Sequence, residues 1–155
     1  MSRISPTGDV GSLNRTRVLE HIDGLARSID AVAASLDGAL DPLLAATAAV
    51  AVLRRSPYEL AVALPQARAA GITPEMVEAI EDEDWTDPSF SDAQKAVFRF
   101  AMMFDAGHGV PDADFGRLRD HLNEGQIVAL AALCAHYGGL ARLAIALAYP
   151  PEKGE

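Results

Sequence analysis

Apolar residues at Val18, Ile22, Leu25, Ile29, Val32 and Leu36 recur in steps of three and four, which predicts an amphipathic helix over residues 14–36 with Gly38 near its end. The pattern then changes. Asp41-Pro42 reads as a helix start, because the Asp side chain accepts a bond from a free first-turn N–H and Pro suits the first helical position. The segment from there to about residue 55 is apolar on nearly every side and is expected to be buried. Ser56-Pro57-Tyr58-Glu59 has the form of a capping box and opens a helix that stops at Gly71. Pro65 lies inside it and should free the Ala61 carbonyl. Thr73-Pro74 starts a short helix to about residue 81, and the acidic run over residues 81–84 is expected to be a solvated loop. Ser91 and Gln94 form a second capping pattern, before a helix carrying Val97, Phe98, Ala101, Met102 and Phe104 and ending near Gly107. Asp112 is expected to cap a short helix with Phe115 and Leu118. Asn123 and Gln126 open the last helix, to about residue 148 before Pro150-Pro151. Residues 1–13, polar with Gly, Ser and Pro, read as a flexible tail. No strand-like alternation occurs. The expectation is an all-α fold, a compact bundle of about six to seven helices in a single domain over residues 14–150.

Composition narrows the function classes. A chain of 155 residues buries roughly 70% of its unfolded surface and needs no disulfide or metal to hold a core. Its formal charge of −9 argues against nucleic acid and anionic membranes as partners, since both require a basic surface. The single cysteine, Cys134, forms no intrachain disulfide and no multi-thiolate metal site. His21, His108 and His121 show no ligand spacing, so no metal is expected. The first residues carry no signal-like apolar run, and the longest apolar run, residues 127–135, falls short of the ~20 needed to span a bilayer. A cytoplasmic protein is expected.

Several polar residues in apolar helices are candidates for chemistry. Glu59 is either a general acid/base in an apolar pocket or the capping-box glutamate that bonds back to Ser56. His136 and Tyr137 interrupt an apolar helix, as a second polar group for a site or as satisfied core residues. Gly138 and Gly139 leave a groove for another helix, and Arg142 beside them pairs with a carboxylate or receives one from a ligand. Cys134 follows an apolar run, where thiols are usually inert. Trp85 reads as an anchor folded onto the core or as a subunit contact.

The stretch from Tyr58-Glu59-Leu60 through Ala70-Gly71-Ile72 to Thr73-Pro74-Glu75 resembles one branch of the carboxymuconolactone decarboxylase and alkylhydroperoxidase D-like family. In that branch a Tyr-Glu-Trp segment and a His are followed by a helix, an Ala-Gly turn and a Thr/Ser-x-Glu helix start. Val110-Pro111-Asp112 to Phe115 is similar, as are His136-Tyr137 and Ala141-Arg142-Leu143 within residues 124–147. The resemblance covers roughly residues 20–148. The departures are specific. The family's two peroxidatic cysteines fall on Ser56 and Glu59, its motif His on Ala63, and a glutamate of the preceding helix on Leu44. Dithiol chemistry needs two thiols, so a thiol peroxidase is excluded on inventory.

The resemblance implies a homo-oligomer and a cofactor-free enzyme. The expected reaction is decarboxylation or isomerisation of a small organic acid, lactone or specialised metabolite by proton transfer, that is, a lyase or isomerase. The pocket is expected between the helix from Pro57 and the last helix. Glu59, Tyr58 and His136 are the catalytic candidates, and Arg142, Tyr137 and Ala63 the substrate contacts. The alternative is a non-catalytic oligomeric binding or scaffold protein that kept the fold and lost the site, with the pocket filled by Leu44, Val62 and Leu64.

Overall fold

The computed structural model describes residues 13–150 and 152. Among them are eight helices and no strand: α1 Asn14–Leu19, α2 Leu25–Leu36, α3 Pro42–Leu53, α4 Pro57–Ala69, α5 Pro74–Glu81, α6 Asp92–Ala106, α7 Asp112–Arg119 and α8 Glu124–Leu147. The expected helix over residues 14–36 is therefore two helices, which raises the count above six to seven. Tight turns follow α1, with His21 N–H on Val18 O and Ile22 N–H on Leu19 O. Gly24, at φ 78°, then restarts the chain in the left-handed region that glycine tolerates. The break leaves Ile22 and Val32, both counted in the apolar stripe, exposed. Apart from Leu13, the tail expected over residues 1–13 lies outside the described residues.

The other boundaries follow their local signals. Asp41 accepts from the N–H groups of Leu43 and Leu44 at the start of α3. Reciprocal capping boxes close the starts of α6 and α8. Gly107 ends α6 in the left-handed conformation. Asp112 is not a cap: Pro111 takes that position and Asp112 is the first helical residue, where its charge suits the N-terminal end of the helix dipole.

α3 is the hub. It packs against α4, α5, α6 and α8, and Ala48, Val50, Ala51, Val52 and Leu53 along it are buried. Phe98, Ile80, Leu118 and Leu130 complete the main core from α6, α5, α7 and α8, each contributing roughly 1.5–3 kcal/mol by leaving water. α8, at 24 residues, is long and apolar enough to cross a membrane, which corrects the estimate from its uninterrupted apolar run. Here it lies against α2, α3, α4, α6 and α7. Gly138 faces Val52 of α3 with a virtual Cβ 4.0 Å away, so the groove expected at the glycine pair is filled on that side by the hub helix. A second, small cluster of Val18, Ala144 and Tyr149, with Tyr58 and Leu147 against it, joins the two ends of the described chain to α4. The acidic run 81–84 is exposed as expected, with Glu83 reaching back to Arg54 at 2.8 Å.

Candidate functional site

The first turn of α4 presents its two polar residues in different directions. Ser56 caps the helix by accepting the Glu59 N–H at 3.3 Å. The reciprocal half of the expected capping box is absent, because the Ser56 N–H bonds to Leu53 O. The Glu59 carboxylate instead meets Arg15 of α1, with Oε2 2.6 Å from Nη1. Glu59 is only 1% exposed, and its second oxygen, Oε1, is buried without a hydrogen-bond partner among the described residues. Burial raises its pKa above the ordinary glutamate value, and the Arg15 charge only partly offsets this.

Tyr58 turns to the other side. Its hydroxyl accepts the Arg15 backbone N–H at 2.9 Å and donates to Glu152 Oε1. The same Glu152 oxygen accepts the Asn14 N–H at 2.9 Å, and Asn14 Nδ2 donates to Pro150 O at 3.2 Å. α1 has no side-chain cap of its own, so its first free N–H groups are satisfied by Glu152 and Tyr58, residues far away in sequence. This explains how a six-residue helix is held, although an isolated helix so short is unstable in water. Burial, then the bond to Glu152, raises the Tyr58 pKa well beyond the ordinary tyrosine range.

A cleft of about 460 Å³ opens on this side of α4, lined by Leu13, Pro57, Tyr58, Ala61, Val62, Pro65, Tyr149 and Glu152. Leu44 and Leu64 pack on the main core and do not line this cleft, whereas Val62 does. The cleft lies between α4 and the two ends of the described residues, and no residue of α8, the last helix expected to form it, lines it. The ring of Tyr149 meets that of Tyr58 edge-on at 5.2 Å, and the Tyr149 hydroxyl is buried without a partner among the described residues.

The remaining candidates divide. His136 and Tyr137 stack edge-on at 4.9 Å. Both are half-buried and feel the Arg15 charge: burial first, then Arg15, lowers the His136 pKa, while burial raises that of Tyr137, which also senses Glu59. They do not line the cleft. Ala63 packs against the main core. Arg142 belongs elsewhere: it is exposed and bonds Asp105 of α6 through the backbone O at 3.2 Å and Oδ1 at 3.3 Å, and Arg54 shares that carboxylate. The carboxylate expected for Arg142 is thus an internal one. Cys134 is buried, and burial pushes its thiol up to about 12.

The sequence reading missed Arg15, Tyr149 and Glu152. Arg15 stands in a polar opening segment and Glu152 beyond the last helix, with no spacing that ties either to Glu59. A second cavity, of about 290 Å³ beside Trp85, is lined by charged residues of both signs. Asp114 binds Arg117 at 2.8 Å and Arg99 at 3.4 Å, and both guanidiniums lie over the Trp85 ring. Among the described residues, no group of His, Cys, Asp and Glu is arranged to hold a metal ion.

No family profile matches the chain, and no curated protein does. A solved structure does: a protein of unknown function from Agrobacterium tumefaciens, provisionally described as the antioxidant defence protein AhpD. The TM-score is 0.73 at 14% identity, over 86% of this chain and 94% of that one. The fold is therefore all-α and AhpD-like. At that identity the likeness speaks for the fold and not for the chemistry.

Proposed function

We propose that this is a cofactor-free, small-molecule enzyme of the carboxymuconolactone decarboxylase-like type, with Glu59 as the proton-transfer residue. The observation that carries the reading is Glu59 Oε1, a buried carboxylate oxygen with no partner among the described residues, one residue along α4 from the wall of a ligand-sized cleft. An unpaired buried polar atom is costly, and carboxyls with raised pKa beside clefts are typical of acid/base sites. In a decarboxylation, carbon dioxide leaves and Glu59 delivers a proton to the carbon that keeps the electron pair. In an isomerisation, the carboxylate takes a proton from one carbon and returns it to another. Tyr58 orients the ligand from the cleft wall, and Arg15 sets the charge of Glu59. The reading takes the protein to be cytoplasmic and homo-oligomeric, with a seam along the exposed apolar stripe of α8 that includes Val128 and Leu143.

A second reading has its own support. Glu59 stands behind the cleft wall rather than in it, and its contact with Arg15 clamps α1 to α4. That arrangement suits a non-catalytic binding or scaffold protein in which Glu59 is a strut. Labelling with a hydrophobic carbodiimide, mapped by peptide mass spectrometry, separates the two. A catalytic Glu59 is reached and modified under native conditions and titrates above the ordinary glutamate value by carboxyl NMR. Modification only at denaturant concentrations that unfold the whole chain, or a normal or lowered pKa, discards the catalytic reading. Once turnover is found, Glu59→Gln is expected to lose on the order of 10²–10⁴-fold.

A further inference from the structure

We infer that the cleft over α4 recognises an apolar amine in its protonated form, through the Glu152 carboxylate and the Tyr58 ring beside it. This rests on the reading that the cleft takes a small molecule, and not on Glu59 being catalytic. Pro57, Ala61, Val62, Pro65 and Leu13 give it apolar walls. Among the described lining residues the one charged group is Glu152, and none is a cation. Of the basic residues in the network, Arg15 is held by Glu59 and Arg17 donates to Asn14 Oδ1, and neither lines the cleft. Among the described lining residues a ligand carboxylate meets Glu152 and no cation, whereas an ammonium meets its complement, so of the two proposed reactions the cleft suits isomerisation of an amine-bearing molecule over decarboxylation of an acid. Glu152 Oε1 already accepts from Asn14 and Tyr58, but an ionised carboxylate has about four acceptor positions, which leaves capacity for an N–H donor. Tyr58 and Tyr149 both line the cleft, but Tyr149 is 8% exposed and set edge-on to Tyr58, so the Tyr58 ring is the aromatic surface left to attract a cation. The chain's charge of −9 draws cations in the same sense.

Three probes that share a ring and differ in charge test the inference on the full chain: benzylamine, protonated at neutral pH, benzyl alcohol and benzoate. Binding is followed by NMR shifts of the Tyr58 and Tyr149 rings. Benzylammonium is expected to bind about tenfold more tightly than benzyl alcohol, the size of a desolvated cation–aromatic and ion-pair preference. Its affinity should fall with salt. Glu152→Gln, which keeps an acceptor for Asn14 and Tyr58, should bring it down to the level of benzyl alcohol without changing the latter. Val62→Trp, which fills the cleft, should abolish binding of all three. Benzoate binding as tightly as benzylammonium, or an unchanged ammonium affinity in Glu152→Gln, overturns the cationic class and leaves a small-molecule cleft standing. Absence of any ring shift with all three probes overturns both. Carbodiimide labelling of Glu59 is read separately and does not depend on either result.

Discussion

Two buried polar networks in this protein are built to opposite standards. At the start of α6, Gln94 is 2% exposed and fully used. Its Oε1 accepts the Ser91 N–H at 3.1 Å, and its Nε2 donates to Thr47 Oγ1 at 3.2 Å and contacts Met76 Sδ at 3.7 Å. Thr47 in turn donates to Leu43 O at 2.8 Å. At the start of α4, Glu59 is as deeply buried, yet one oxygen has a cation and the other has no partner among the described residues. The same helix-start grammar, Ser followed three residues later by an acid or amide, gives a closed structural joint in one place and a strained charge in the other. A neutral amide settles a buried position with ordinary hydrogen bonds. A carboxylate does so only with a counter-ion, and here that ion comes from a short helix at the edge of the bundle.

The contrast breaks most sharply at Arg15. Arg15→Ala leaves the Glu59 carboxylate buried and unpaired, and should cost about 3 kcal/mol in denaturant melts at pH 8, the low end for breaking a buried pair. Because the folded-state pKa of Glu59 is raised, its contribution to stability is fully present below the unfolded glutamate value and is lost as pH rises through the folded one. The deficit of Arg15→Ala should therefore shrink on acidification. Glu59→Gln should remove that pH-dependent slope in an otherwise wild-type chain, and an unchanged slope would assign it to another group.

Gln94→Leu tests the other network. It should cost about 1–3 kcal/mol, the range for leaving buried partners unsatisfied, with no pH dependence between pH 5 and 8. A pH-dependent loss would mean that a charge hides in that joint. Ser56→Ala removes the half of the α4 cap that is formed and should cost about 1 kcal/mol in thermal or chemical melts. The smallest effect is expected at Cys134, whose buried thiol, raised to about 12, should resist thiol reagents in the native state; rapid modification there would reopen thiol chemistry.

The sequence was most readable where structure is local. Ser56, Thr73, Ser91 and Asn123 each mark a helix start, because a cap is satisfied within three residues of the chain. The apolar run of α3 announced the hub, since a helix without a polar face has to be covered on most sides. Periodicity misjudged residues 14–36 because apolar spacing continued through the break at Gly24, and a left-handed glycine does not disturb the spacing around it.

Glu59 was legible as a candidate, either a capping-box glutamate or a general acid/base; the bond back to Ser56 is absent, and the carboxylate pairs with Arg15 instead. What the sequence by itself determined is the helices from α3 onward, most of their caps and the single cysteine, because caps and periodicity depend on neighbours along the chain and the cysteine count on composition alone. Only the tertiary structure decided that Glu59 turns from Ser56 to Arg15, that Arg142 answers Asp105, and that Tyr58 and Tyr149 flank a cleft joined to Glu152. Those pairings span 37 to 94 positions. A charge finds its partner by proximity in the packed state, and separation along the chain leaves no pattern from which that proximity can be read.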